Sequence, residues 1–293
     1  MVKIGFIGAG TVGTALAVTL ADRGYPITAV ASRSVASAER LASVVGGPRV
    51  CATGQEVTNF AELIFVTTPD DVISTAVAQV TWRPGLSVVH CSGAASTDIL
   101  ERAAKQGASV GAFHPLQSFA NVERAIENIP GSTFALEGEE PLLGLLKQLA
   151  LALNGVPVVL GPGDKVLYHA AAVIVSNYTV ALAKMATDLW RVFGVDTPEA
   201  TRALMPLLQG TVNNISNVGL PNCLTGPIAR GDIGTIEKHL RALEEQAPSI
   251  LPTYCELGLQ TIPVALGKGK IDESRARELR QLLSNNASRI PLE

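Results

Sequence analysis

The sequence predicts an α/β chain in two parts, an N-terminal doubly wound parallel sheet followed by an all-helical half. Three observations predict it. Short apolar runs alternate with helical stretches through the first half, the pattern of strands laid parallel by helical crossovers. The first run, Val2 to Ile7, passes straight into Gly8-x-Gly10-x-x-Gly13. Beyond the turn residues Gly161-Pro162-Gly163 the strand period stops and helical periodicity takes over. The boundary is expected there, giving domains 1–161 and 162–293, and 293 residues is long for one core.

Each glycine of the opening turn has a mechanical task. Gly8 permits the tight strand-to-helix turn, Gly10 lets backbone approach a pyrophosphate, and Gly13 lets the helix lie close on the strand. With Ala9, Thr11 and Val12 they form a candidate phosphate loop, because a helix N-terminus offers free N–H groups and partial positive charge. The other reading is a glycine-rich turn that binds nothing.

The remaining elements follow in order. Helix is expected from Thr11 to Arg23, stopped by Gly24, then strand at Ile27–Ala31 and helix at Ser34–Val45. Further strands are Arg49–Cys51, Leu63–Thr67, Ser87–His90 and Ser109–Phe113, with Ser132–Leu136 and Pro157–Leu160 extending the sheet around the helix Pro141–Leu153. The second half reads as helices Asp164–Phe193, Pro198–Val218, Ile233–Glu245, Ser249–Leu266 and Glu273–Asn285, with a Gly-Pro-rich segment near 219–227. Asp164 is the expected N-cap of the long helix and Gly194 its stop.

Composition excludes several classes. The chain is 47% hydrophobic and 17% charged with a net charge of −3, so no basic field points to nucleic acid or an anionic membrane. Cys51, Cys91, Cys223 and Cys255 are widely spaced and read as reduced residues of a cytoplasmic protein; no metal-ligand spacing appears among the four histidines. Residues 1–20 are expected to be a strand and its loop and not a signal peptide. Residues 166–183 carry no Asp, Glu, Lys or Arg, yet hold His169, Ser176 and Asn177, so a buried helix of a soluble domain is expected rather than a membrane span. Such a helix needs cover from other helices or from a second subunit; a homodimer is the favoured reading, intramolecular burial the other.

The strand ends suggest the cofactor. Strand two runs into Ser32-Arg33-Ser34 with no acidic residue before Glu39, where an NAD-preferring chain would place a carboxylate for the ribose. Arg33 is placed for the 2′-phosphate of NADP, which makes NAD the less favoured cofactor; a solvated surface arginine is the alternative. Thr67, Thr68 and Pro69 stand where the nicotinamide ribose should pass, with Cys91, Ser92 and Gly93 at the next strand end. His90, just before that edge, reads as a buried, hydrogen-bonded core residue.

Polar residues stranded in apolar sequence are the candidates for chemistry. His169, Val173, Ser176 and Asn177 share one helical face, and burying their polar groups unpaired would cost several kcal/mol. A second cluster, Leu224 to Asp232 followed by Thr235, Glu237 and His239, suggests backbone shaped for a ligand; the other reading is a loop whose Arg230–Asp232 pair closes a turn.

The opening Gly-Phe-Ile-Gly-Ala-Gly-x-Val-Gly resembles the group of ketopantoate reductases, β-hydroxyacid dehydrogenases, pyrroline-carboxylate reductases and deazaflavin-dependent NADP reductases. More narrowly, His90-Cys-Ser-Gly93, Gly111-Ala-Phe-His-Pro-Leu-Gln117, Tyr168-His-Ala-Ala-Ala172 with Ser176-Asn177, and Leu224-Thr-Gly-Pro227 with Arg230-Gly-Asp232 resemble the Rossmann-like proteins that carry domain of unknown function 2520. That resemblance covers nearly the whole chain and implies a Rossmann domain followed by a helical domain of the 6-phosphogluconate dehydrogenase C-terminal type. Similarity to ketopantoate reductases implies His169 as proton donor where that family has lysine, with Asn177, Thr225 and Glu237 lining the site. Lys165, one turn before His169, ranks second as donor because it is expected at a solvated helix entrance. His114-Pro115 is similar to a His-Pro of prephenate and arogenate dehydrogenases, which implies a loop over the nicotinamide with His114 and Gln117 binding a substrate carboxylate or carbonyl.

The resulting expectation is a cytoplasmic NADP-dependent oxidoreductase reducing a C=O or C=N group of a small, carboxylate-bearing metabolite. A dinucleotide or metabolite sensor without turnover is the alternative from another class, and a deazaflavin-dependent reductase a third.

Overall fold

The structure, a computed structural model, describes residues 1–287. By contact density the chain forms two compact units, Met1–Asn177 and a helical unit beginning at Tyr178.

The first unit is built on one eight-stranded sheet. Its strands are β1 (Ile4–Ile7), β2 (Ile27–Ala31), β3 (Arg49–Cys51), β4 (Leu63–Val66), β5 (Ser87–His90), β6 (Ser109–Leu116), β7 (Thr133–Gly138) and β8 (Val156–Val159), in the order β3-β2-β1-β4-β5-β6-β7-β8. Six strands run parallel; β7 is antiparallel to β6, and β8 runs parallel to β7. The order reverses between β1 and β4, and open α/β sheets form their ligand crevice at the carboxyl ends of the strands at such a point.

Helices α1 (Thr11–Asp22), α2 (Val35–Val44), α3 (Gly54–Val57), α4 (Asp70–Ala78), α5 (Glu101–Lys105), α6 (Val122–Asn128) and α7 (Leu142–Ala152) return the chain between strands. Two buried clusters result. One holds Phe6, Phe65, Phe113 and Phe134, whose rings pass contact from β1 through β4 and β6 to β7 with centroids 5.3, 5.6 and 4.7 Å apart. The other gathers Ile7, Ile64, Val66 and Val88 with Ile73 and Trp82. Fully buried side chains of this size contribute about 1.5–3 kcal/mol each, so both layers hold the strand ends that carry the site.

Several expectations change here. Strand β6 does not end at Phe113: it continues through Leu116, because β7 pairs with it as far as Leu116↔Thr133. Pro115 is tolerated since β5 stops pairing with β6 at His90↔Ala112. His114 is therefore a strand residue and not part of a loop. The long helix also divides, into α8 (Asp164–Val175) and α9 (Asn177–Val192), at Ser176 with φ −98° and ψ −69°. Gly163 in the left-handed region, φ 87°, caps α8 in place of Asp164, whose Oδ2 instead accepts from the Gly161 N–H at 2.9 Å. By contact density α8, which packs on the sheet, groups with the first unit, Met1–Asn177.

The second unit continues from α9 with α10 (Thr197–Val218), α11 (Pro227–Arg230), α12 (Ile233–Gln246), α13 (Leu251–Gly267) and α14 (Glu273–Ala287). Its core is formed by Ile236, Leu240, Leu251, Cys255, Ile262, Leu279 and Leu283. Gly194 takes φ 87° after α9, as its expected role as stop requires. The apolar helix expected to need cover is exposed among the described residues: Leu167, Val175 and Val180 are 77%, 76% and 70% exposed, and Asp164–Val192, with mean hydropathy 1.5, is long and apolar enough to cross a membrane.

Candidate active site

The glycine loop sits at the β1/β4 crossing. Gly8 has φ +112°, and a Cβ there would stand 2.7 Å from the backbone carbon of Thr67, so the two strand ends touch through the missing side chain. Thr67 Oγ1 donates to the Gly8 carbonyl at 2.8 Å, and a Cβ on Gly13 would overlap that threonine side chain. Gly10 differs: nothing lies within 4 Å of a Cβ placed on it. Gly10 is also the N-cap of α1, with no side-chain cap and no acidic residue in the first turn, so the first N–H groups of α1 stay free.

This loop lines a cleft of about 740 Å³ that also takes in Ser32, Arg33 and Ser34 after β2 and Thr67, Thr68 and Pro69 after β4. Ala9 lines it too, whereas Thr11, Val12 and Gly13 contribute through the helix start behind it. Arg33 is exposed at the cleft and has no hydrogen-bond or ionic partner among the described residues. Ser34 caps α2, accepting from the Ser37 N–H and Ser37 hydroxyl, while Arg40 donates to Ser37 Oγ at 2.9 Å. The Thr68 hydroxyl is buried without a partner among the described residues and lines the same cleft. Thr53, Gln55, Val72 and Gln79 complete the walls; they lie on α3, its cap and α4, where no spacing in the sequence marks them.

At the next strand end the residues are packed, not open. The Ser92 hydroxyl donates to Asp70 Oδ2 at 2.6 Å and accepts from the N–H groups of Ala94 and Ala95, so it shapes the loop after β5. His90 is fully buried, accepting from the Ser92 N–H at Nδ1 and pairing Nε2 with the Ser96 carbonyl at 3.2 Å, as a core histidine should. Burial, with the Lys165 charge next in weight, brings its pKa down to about 3. Cys91 is also removed from chemistry, since burial pushes its thiol up to about 12. Of the three residues Cys91, Ser92 and Gly93, only Gly93 meets the functional side chains: its Cβ would fall 2.5 Å from His169 Cδ2 and 2.8 Å from His114 Nε2.

That glycine lets two imidazoles converge. His114 and His169 have ring centroids 6.3 Å apart, and His114 Nδ1 shares a 2.8 Å hydrogen bond with the Tyr168 hydroxyl. Burial first, then Lys165 and His169, take His114 down to about 4, and burial raises Tyr168 to about 12. At neutral pH the pair is therefore a neutral imidazole and a protonated phenol.

Lys165 overturns the expectation of a solvated entrance. It is 2% exposed, and its Nζ lies 3.8 Å from Glu137 Oε2 on β7. Burial lowers its ammonium and raises the Glu137 carboxyl, each opposed by the other's charge. Glu137 and Tyr168 were not marked as site residues by the sequence; Tyr168 stood beside His169 in a motif, but Glu137 lay in an ordinary strand pattern.

The remaining candidates lie elsewhere. Gln117 is exposed and turned into its own loop, with Oε1 accepting from the Ser118 N–H and Nε2 3.5 Å from the Asn128 carbonyl. Asn177 is exposed after the Ser176 break, so the shared face with His169 is interrupted there. In the helical unit Thr225 is exposed, and Glu237 is exposed and 3.7 Å from Arg241 on its own helix. Asp232 caps α12 by accepting from the Thr235 N–H and hydroxyl, which accounts for the charge in that segment structurally. His239 Nδ1 and the Tyr254 hydroxyl are 2.8 Å apart.

The sheet order, the glycine loop and the helices that follow define a Rossmann-like protein. Residues 1–115 match the family profile of a Rossmann-like domain. Residues 132–261 match the domain of unknown function DUF2520, so the chain carries regions that match both models. No curated protein matches it. Among solved structures, protein TM1727 from Thermotoga maritima is 29% identical with a TM-score of 0.68, covering 97% of this chain and 98% of its own. A reductive aminase from Aspergillus terreus, solved with NADPH and ethyl levulinate, is 22% identical with a TM-score of 0.64 over 95% of this chain and 99% of its own. A 1-pyrroline-5-carboxylate reductase from Streptococcus pyogenes is 15% identical with a TM-score of 0.60 over 98% of both chains. At 22% and 15% identity the last two share the fold.

Proposed function

We propose that the protein is an NADP-dependent oxidoreductase that reduces a C=O or C=N group of a small, carboxylate-bearing metabolite. The observation that carries this reading is the Gly10 position: an open backbone approach beside uncapped α1 N–H groups, in a cleft of about 740 Å³. A pyrophosphate fits those donors, and Arg33, lacking any other partner, suits a 2′-phosphate. The orphaned Thr68 hydroxyl is available to a ribose. The aminase solved with NADPH and the pyrroline-carboxylate reductase supply the analogy for hydride chemistry on C=O and C=N groups.

Bound NADPH would supply the hydride. His169, which lies against Gly93 and beside His114, would give the proton to the nascent oxygen or nitrogen. His114 holds the Tyr168 hydroxyl and, as a neutral imidazole, presents its other nitrogen toward Gly93. Asn177, Thr225 and Glu237 remain proposed lining residues by family resemblance. A second copy of the chain covers the exposed apolar faces of α8 and α9, making a homodimer that light scattering would register as twice the chain mass.

The test is twofold. Fluorescence titration should show NADPH binding with NADH much weaker, and NADPH oxidation should be screened against 2-oxo acids and cyclic imines. Once a substrate is found, His169→Ala should lower kcat by about 100-fold or more while NADPH still binds. A protein with no affinity for either nucleotide overturns the reading.

A further inference from the structure

Helix α8 meets the sheet through three side chains spaced for one face. Lys165 reaches Glu137 on β7, Tyr168 bonds His114 on β6, and His169 lies against Gly93 after β5. The lowest of these contacts is the odd one. Lys165 Nζ and Glu137 Oε2 are buried, with side chains 2% and 10% exposed, yet neither atom has a hydrogen-bond partner among the described residues. An ion pair at 3.8 Å whose two facing atoms make no hydrogen bond is a poor source of stability, because desolvating two charges offsets most of their attraction. Its effect lies in register and in charge.

We propose that Lys165 is a positioning residue for the histidine pair: through Glu137 it fixes the first turn of α8 on β7 and sets a buried positive charge beside His114 and His90, leaving proton transfer to His169. The last step rests on the oxidoreductase reading; the positioning does not.

The groups around Lys165 leave its charge directed at the imidazoles. Glu137 from β7 and Asp70 from the start of α4 favour the ammonium; Cys91 after β5 is a neutral thiol at pH 7. Asp98 and Asp164 bear on Glu137, which also accepts from the Thr97 backbone. The two histidines are the groups that the positive charge disfavours in their protonated form: His90 on β5, with both nitrogens already bonded, and His114 on β6. A neutral His114 can accept the Tyr168 hydroxyl bond, whereas an imidazolium cannot.

The experiment uses the full chain with carbon-13-labelled histidine and follows the His114 ring by NMR against pH. In the parent chain it should titrate near about 4. Lys165→Met alone would strand a buried carboxylate, so the decisive variant is Lys165→Met with Glu137→Leu, which removes both charges at similar volume. Its His114 midpoint should rise by at least about half a pH unit, about threefold in proton affinity, with NADPH affinity within about threefold. A folded double variant with an unmoved His114 midpoint overturns the proposal. A double variant that cannot fold does so too, by making the pair a stability element. Absence of NADPH binding by the parent chain would instead sink the oxidoreductase reading and leave the His114 shift readable.

Discussion

At β1, β2 and β4 the sheet edge is made of what is missing among the described residues: glycine side chains, a side-chain cap for α1 and a partner for Arg33. Two strands along, at β5 and β6, the same edge is filled, with His90, Ser92, His114 and Tyr168 bonded to neighbours and Lys165 sealed behind them. An open, backbone-lined cleft can hold a large flexible anion by its phosphates with little reorganisation. A packed polar cluster is instead preorganised, and it tolerates displacement poorly. The difference teaches where substitutions should separate binding from chemistry.

The largest effect is expected at the crossing itself. Gly8→Ala places a Cβ 2.7 Å from Thr67 backbone at a φ of +112°, so stability should fall by about 2–3 kcal/mol and NADPH affinity by about 100-fold or more. Gly10→Ala sharpens the contrast. It meets nothing within 4 Å, so the melting temperature should hold while NADPH affinity drops about tenfold or more. Calorimetry with and without NADPH separates the two, and a Gly10→Ala chain that binds normally would show the loop is not a phosphate cradle.

Gly93→Ala should behave in the opposite sense. A methyl group there displaces both imidazoles, and misplacement of about 1 Å costs about 100-fold in turnover, whereas NADPH affinity should change less than about threefold. Equal losses in binding and turnover would erase the distinction between the two halves of the edge. Arg33→Ser is expected to be milder, weakening NADPH by about 10- to 100-fold while leaving NADH within about twofold, since only the 2′-phosphate contacts are charge-assisted.

Much of the open half was legible in the sequence because it is local. A strand, three glycines and a helix start within the first 13 residues dictate the turn, and Ser32–Ser34 and Thr67–Pro69 follow from strand ends. The packed half was legible only in parts. His169 stood out as a stranded polar residue and His114 through a motif resemblance, but the expected strand stopped at Phe113, short of the pairing that antiparallel β7 supplies. Lys165 beside Asp164 and Gly163 looked like a solvated helix entrance; nothing local reveals that Glu137 waits on a distant strand. The exposed apolar face of α8 and α9 is a different case, since hydropathy reports the need for cover and not which chain provides it.

A pH slope belongs to the packed half alone. Burial disfavours the imidazolium and brings His90 down to about 3 and His114 to about 4 in the folded chain, against an ordinary value of 6.5. The unfolded chain thus binds more protons between those values and 6.5, so their contribution is complete above about 6.5 and is lost as pH falls through the folded pKa values. Each histidine should add about 1.4 kcal/mol per pH unit to that loss within its window. Denaturant titrations from pH 7 to pH 4 should show stability falling, and His90→Gln should flatten the slope by about one proton. The Gly10→Ala variant, altered only in the open half, should keep the parent slope; a flattened slope there would mean that the two halves of the edge titrate as one.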